Sequence, residues 1–320
     1  MTKAFFFGAV SIANPNFGSQ SVTSWVSRNN TVVTGVNDII YGAGLFVAVG
    51  QNCIFTSPDG ITWTSRTCPL NNPWTGLSYS GTQFVAVCAS TVGTPSQTIM
   101  TSPDGITWTL QLSTSGSNTI RCNCTAYGNS LYIGMGSSAS TTVRAISSSD
   151  GITWTGFGPS FTTNITWRSI CYGGGKFVAL GSSGAPVYSA TGTGIYTSGT
   201  GVTSTSWADV CYGNGLYVAI TSTGVVGTSV YTSSDGIAWT ARTIPAAVVL
   251  SSVCYGGGLF VAVANTGSNN QIITSPNGIT WTTRTNPVTK AWTAVTAGPS
   301  NFVAANADGS NTTTFMQSNG

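Results

Sequence analysis

Histidine and glutamate are both absent from this 320-residue chain, and its seven acidic residues are all aspartate. Their absence excludes Ser-His-Asp and Cys-His nucleophile relays and leaves few groups for general acid or base work. Charged residues make up only 5% of the chain, where an average soluble domain has about a quarter, so Ser, Thr, Asn and exposed backbone must carry solubility. The ten Lys and Arg leave a net charge of +3 and form no run that would track a phosphate backbone, so nucleic acid is not an expected partner. No stretch approaches the length of a membrane span. The opening MTKAFFFGAVSIANP has a short apolar run broken by Gly8, with no A-x-A site after it. A cleaved leader is therefore not expected, and synthesis in a cytoplasm is.

What the chain does have is repetition. SPDGITWT at Ser57 to Thr64 returns at Ser102 to Thr109, with variants starting at Ser148 (SSDGITWT), Ser233 (SSDGIAWT) and Ser275 (SPNGITWT). A catalytic motif is needed once, whereas a motif that recurs at a fixed period belongs to a repeated structural unit. Aligned on the tyrosine of YGxG, the units fall at Tyr41, Tyr79, Tyr127, Tyr172, Tyr212 and Tyr255, with Ala297 in the seventh slot. The spacings of 38, 48, 45, 40, 43 and 42 residues suit four-strand propeller blades. Each unit reads as an apolar strand ending at the tyrosine, a tight Gly turn, a strand such as LFVAV, a variable loop, a strand ending IxTS, the octapeptide turn and a strand such as TWTxRT.

The seventh unit stops at FMQSNG, and its missing strand stands at the other end of the sequence, where TSWVSR at Thr23 to Arg28 matches ITWTTR at Ile279 to Arg284. The expected fold is all-β: a seven-bladed β-propeller of four-stranded antiparallel blades, residues 21–320, closed by the N-terminal strand pairing in the last blade. Residues 1–20 lie outside the repeats, and their AFFF suits an anchoring arm.

In the octapeptide, Asp or Asn before Gly suits a tight turn, with the side-chain oxygen accepting backbone N–H groups and Gly taking positive φ. Asp59, Asp104, Asp150, Asp235 and Asn277 are therefore expected to staple turns, with the Trp covering each one. The fourth copy is expected at Ser198 as SGTGVTST, lacking both Asp and Trp. The octapeptide resembles the Asp-box (BNR-type) repeat, S-x-D-x-G-x-T-W, of sialidase-like and related β-propellers, shortened by the residue between Asp and Gly. That resemblance implies a propeller scaffold and little about activity. A sialidase would bring an arginine triad, a Tyr/Glu nucleophile pair and an acid/base Asp. The pair cannot be built without Glu.

Outside the octapeptides stand only Asp38, Asp209 and Asp308. Asp38 and Asp209 each precede a blade tyrosine by three residues and could form a glycosidase pair facing a central channel. The plainer reading is that they hydrogen-bond within the inner strands, and no catalytic residue is assigned. Cys171, Cys211 and Cys254 share one repeat position that holds Ile, Ser, Ala or Thr elsewhere, a buried slot for a small side chain. Cys122 and Cys124 on one strand make no zinc site without a second pair. Reduced thiols are expected, with Cys53, Cys68 and Cys88 the least constrained, and no metal or cofactor is expected.

The first and third connections of each unit hardly vary in length and should form one flat face. The second varies from GQNC at Gly50 to Cys53 up to GSSGAPVYSATGTG at Gly181 to Gly194, and the fourth varies as well. Recognition is expected on that variable face. The candidate ligand residues are Tyr188, Phe157, Arg144, Asn118, Asn269, Asn270 and Asp308. The function expected is that of a non-enzymatic virion protein. It would be a tailed-phage head or tail decoration, fibre or receptor-binding component, held to other virion proteins by its arm and able to meet a host surface glycan or receptor. In this it resembles phage structural propellers. The alternative is a free lectin-like propeller, and a glycoside hydrolase comes third.

Overall fold

The computed structural model describes residues 22, 24–29, 35–88, 97–111, 114–115, 118–119, 121–136, 145–158, 165–202, 206–223, 229–245, 248–265, 271–307 and 313–319. The proposed arm over residues 1–20 lies outside them. Seven four-stranded antiparallel sheets form a β-propeller. The inner strands of blades one to seven are Val36–Gly42, Trp74–Tyr79, Cys124–Gly128, Trp167–Gly173, Trp207–Gly213, Leu250–Gly256 and Trp292–Ala297. Each packs against the inner strands before and after it, and the seventh meets the first. The outer strand of the last blade is Trp25–Asn29, which pairs antiparallel with Thr313–Ser318 from Trp25 opposite Ser318 to Asn29 opposite Thr313. N- and C-terminal segments thus complete one blade, and the ring closes without leaving that sheet edge open.

The YGxG motif has two separate structural reasons. Its last two residues are the central pair of a two-residue hairpin, because Gly42 pairs with Leu45 and leaves only Ala43 and Gly44 in the loop. Both take positive φ, 49° at Ala43 and 78° at Gly44, as a type I′ turn requires, and Gly174 with Gly175 and Asn214 with Gly215 repeat the geometry. The first glycine is required by the next blade. A Cβ on Gly173 would lie 2.1 Å from Cγ of Tyr212, and Gly42, Gly128 and Gly213 stand in the same way against Tyr79, Tyr172 and Tyr255. The tyrosine of one blade therefore packs onto the glycine of the blade before it.

The octapeptide turn is held by its own side chains. In blade one the Ser57 hydroxyl donates to Asp59 Oδ1 (3.0 Å), Gly60 N–H donates to Ser57 Oγ (2.8 Å), and Ile61 and Thr62 N–H donate to Asp59 Oδ1 (2.8 and 3.0 Å). Asp104, Asp150 and Asp235 make the same set, and Asn277 Oδ1 accepts from Ile279 and Thr280. The turn glycine also faces the preceding blade, since a Cβ on Gly105 would meet Val47 at 2.8 Å and one on Gly236 would meet Val178 at 2.9 Å. Trp63 reaches across in the same direction and stacks on Phe315 of blade seven at 3.7 Å.

Blade four corrects the expected register. Its third strand is Val187–Ser189, and Ser189 pairs with Phe177 as Ser57 pairs with Phe46. The fourth turn therefore begins at Ser189, not Ser198, and runs one residue longer, with Thr191 in place of Asp and Tyr196 in place of Trp. Gly192 N–H donates to Ser189 Oγ (3.1 Å), and the Tyr196 hydroxyl donates to Gly192 O (3.0 Å). The segment read as the fourth copy has another role: Thr200 N–H donates to Ile237 O, and Trp239 N–H donates to Thr200 O, so it lies along the turn of blade five. The long second connection also shortens, because Val187–Ser189 stands inside the expected loop over Gly181 to Gly194.

Candidate functional site

Antiparallel order places the YGxG hairpins and octapeptide turns on one face of the ring and the second and fourth connections on the other. Of the residues expected to bind a ligand on the variable face, Arg144, Asn269, Asn270 and Asp308 lie outside the described residues. Asn118 is on a two-residue strand that pairs with Thr114–Ser115 between blades two and three. Phe157 ends the outer strand of blade three, half-buried against the cluster that holds Trp167 and Tyr196. Tyr188 is no loop tip: it is in the middle of a third strand, half-buried beside Trp207 and Trp239. Among the described candidates, Phe157 and Tyr188 pack on different core clusters.

Asp38 and Asp209 are fully buried. Asp38 Oδ1 accepts from Ile39 N–H (2.9 Å) and Oδ2 from Leu77 N–H of blade two (2.8 Å). Asp209 joins three blades. Its Oδ1 accepts from the Ser169 hydroxyl of blade four (2.7 Å) and its own Val210 N–H (2.9 Å), while Oδ2 accepts from the Ser252 hydroxyl and Val253 N–H of blade six (3.0 Å each). The bonding expected within the inner strands is present at Ile39 and Val210, and each carboxylate also bonds to neighbouring inner strands. A buried carboxyl that accepts from donors on neighbouring strands clamps the elements that supply them.

Four places before each blade tyrosine, at the start of the inner strand, is a position that sequence reasoning passed over. It is occupied by Asn37, Thr75, Asn123, Arg168, Ala208, Ser251 and Thr293 in blades one to seven. In six blades the ladder shifts register at this residue. Asn37 Nδ2 donates to Trp74 O (2.9 Å), Asn123 Nδ2 to Trp167 O (3.0 Å), the Ser251 hydroxyl to Trp292 O (2.6 Å), and the Thr293 hydroxyl to Val36 O (2.8 Å). Each bond joins a blade to the next at the variable-face mouth of the channel. The signal available in sequence was small polar residues four places before the tyrosine, too varied in identity to read as a motif.

At that mouth a cavity of about 200 Å³ is lined by Asn37, Thr75, Asn123, Thr166, Trp167 and Arg168. It brings an exposed guanidinium together with two amides and two hydroxyls. Thr75 Oγ1 lies 3.4 Å from both Val87 O and Cys122 O. Since Asn37 and Asn123 use their Nδ2 groups in the ring of inter-blade bonds, their Oδ1 atoms are left as acceptors.

The opposite face carries a different pattern. The large apolar side chains exposed among the described residues are Ile61, Ile106, Ile152, Ile195 and Ile279, all on the turn between third and outer strands. Beside them Asp59, Asp104, Asp150 and Asp235 are held below the ordinary carboxylate range. At Asp104, Asp150 and Asp235 the leading cause is the backbone N–H three residues on, and at Asp59 partial burial opposes the same bonds and is outweighed. This rim is apolar and anionic at neutral pH.

All eight cysteines are free thiols, and all but Cys68 are buried. Cys171, Cys211 and Cys254 occupy the inner-strand slot expected for them.

No family model and no curated protein matches the sequence. Solved structures match over 92% of the chain. A streptogramin B lyase aligns over 97% of its own length with a TM-score of 0.73 at 11% identity. YCF48 from Cyanidioschyzon merolae aligns over 98% of its length with a TM-score of 0.66 at 15% identity. The WD40 β-propeller domain of Doa1 aligns over 96% of its length with a TM-score of 0.63 at 10% identity. Proteins of such different titles share the architecture alone. The chain is similar to them as a seven-bladed β-propeller.

Proposed function

We propose that this chain is a non-enzymatic scaffold that serves as a structural or appendage protein of a virus particle. It would be a head or tail decoration, fibre or receptor-binding component of a tailed phage, with the octapeptide as a shortened Asp-box. The observation that carries the reading is the use of its acids. Of the seven aspartates, the six described ones accept backbone N–H groups that hold a turn or join blades, and neither channel-side carboxylate reaches solvent. Such a distribution favours a rigid platform over a carboxylate catalyst. The repeated exposed isoleucines on the flat face suit contact with other particle proteins, and the AFFF segment suits an anchor to them.

The test is a density gradient of particles from the native source, read by mass spectrometry. Banding at fixed stoichiometry with particles, lost when residues 1–20 are deleted, is the expected result. A protein that stays in the soluble fraction overturns the particle reading. It would then favour a free lectin-like propeller, the second reading, which the polar cavity at the channel mouth supports.

A further inference from the structure

We propose that the flat face of the ring docks a cationic, apolar segment of a partner protein, one in which Lys or Arg stands among aliphatic residues. The inference rests on the reading of that face as a contact surface and names what it contacts, but it does not depend on the particle. The apolar half of the match comes from the isoleucines. Every large apolar side chain exposed among the described residues lies on this one face, from 38% exposed at Ile106 to 72% at Ile195. Core-type side chains left outside on one face, and on no other described part of the surface, mark a place where another surface is met.

The charge on the same face chooses the occupant. Its hairpins and turns carry Asp59, Asp104, Asp150 and Asp235 against one cation, Lys176, although the whole chain has a net charge of +3. The bonds that staple each turn go to Oδ1 of the aspartate, and all four residues are exposed, so each Oδ2 remains for a partner's donor. The turn itself does not need the charge: Asn277 Oδ1 accepts from the Ser275 hydroxyl and from Ile279 and Thr280 N–H in the same pattern. In blades one to three each carboxylate stands two residues before an exposed isoleucine, so three successive blades present the same pair of groups. Two of these turns are also fixed from the side, because Asn301 Nδ2 donates to Asp59 O and Gln83 Nε2 to Asp150 O (2.9 Å each). Turns held in this way lose little freedom when a partner docks. A second copy meeting the face with its own would set carboxylates against carboxylates, and an anionic lipid surface would meet the same repulsion.

The test uses the full-length protein and short, end-blocked, dye-labelled peptides, read by fluorescence anisotropy at about 50 mM salt. Alternating lysine and leucine is the probe, with lysine–serine and glutamate–leucine peptides of the same length as controls. The lysine–leucine peptide should bind at least about tenfold more tightly than either control, and about 0.5 M salt should weaken it by about tenfold. Asp59→Asn, Asp104→Asn and Asp150→Asn together should remove about tenfold of the affinity at neutral pH, in a turn that Asn277 already holds. Ile61→Thr, Ile106→Thr and Ile152→Thr together form the second variant. Because these side chains are exposed, it should melt with the parent protein while losing about tenfold or more of the affinity. Equal binding of the three peptides, unchanged affinity in either variant, or no binding would each overturn the assignment. Self-association of the protein that the isoleucine variant abolishes would overturn it too, since the face would then belong to a second copy. Failure of the peptide titration leaves the particle reading standing, and failure of the particle gradient leaves this one standing.

Discussion

The most direct challenge to the packing between blades is Gly173→Ala. The added Cβ would lie 2.1 Å from Cγ, 2.3 Å from Cδ1 and 2.5 Å from Cβ of Tyr212, where ordinary contact begins at 3.4 Å. Either the ring or the inner strand of blade five must retreat by about 1.3 Å. Retreat is resisted because the Tyr212 ring packs against Tyr217 at 4.7 Å, and the Tyr217 hydroxyl donates back to Gly173 O. Overpacking of this kind costs about 3 kcal/mol, the upper end of the usual range. Gly175→Ala in the same hairpin is the control: it meets nothing within 4 Å and has only its φ of 79° to strain, about 1 kcal/mol. Urea unfolding followed by tryptophan fluorescence should rank the two in that order. In a Tyr212→Gly background, which removes ring and Cβ together, the cost of Gly173→Ala should fall below about 1 kcal/mol, a coupling of about 2 kcal/mol or more. Equal costs in both backgrounds would refute the role given to the glycine.

Asp209→Asn turns an N–H group toward donors that now share a carboxylate, and should cost about 3 kcal/mol in the same assay. A loss below about 0.5 kcal/mol would show that the three blades are not clamped there. The turn aspartates predict acid sensitivity. Their folded pKa values lie below the ordinary 3.8, so their contribution is present above that value and is lost as pH falls through the folded ones. Replacing Asp59, Asp104, Asp150 and Asp235 together by Asn, as Asn277 already stands, should flatten the fall in melting temperature below about pH 4; an unchanged slope would refute this. Native alkylation should modify Cys68 first, since it alone is only partly buried, although burial raises its pKa and slows it. Prior labelling of Cys171 or Cys254 would contradict their place between blades.

How much was legible in the sequence depended on how each device repeats. The period of the tyrosines, the octapeptide and the match of Thr23 to Arg28 with Ile279 to Arg284 were enough to count blades and close the ring, because local turns and alternation recur with the unit. Blade four was misread because its turn had exchanged Asp for Thr and Trp for Tyr and gained a residue, so a stricter-looking string at Ser198 took its place. The channel-mouth ring was invisible because its members share a position and a bond but no residue type. Tyr188 looked available only while its strand was counted as loop.

Sequence by itself determined the unit, its turns, its number and its closure, since these follow from local backbone preference and the period of apolar residues. Tertiary structure alone decided which side chains meet across blades. The donors to Asp209 from blades four and six, the tyrosine over Gly173 and the cavity shared by Asn37, Asn123 and Arg168 join residues about 40 or more positions apart. Such contacts exist only once seven sheets have closed into a ring, and no local preference of the chain encodes them.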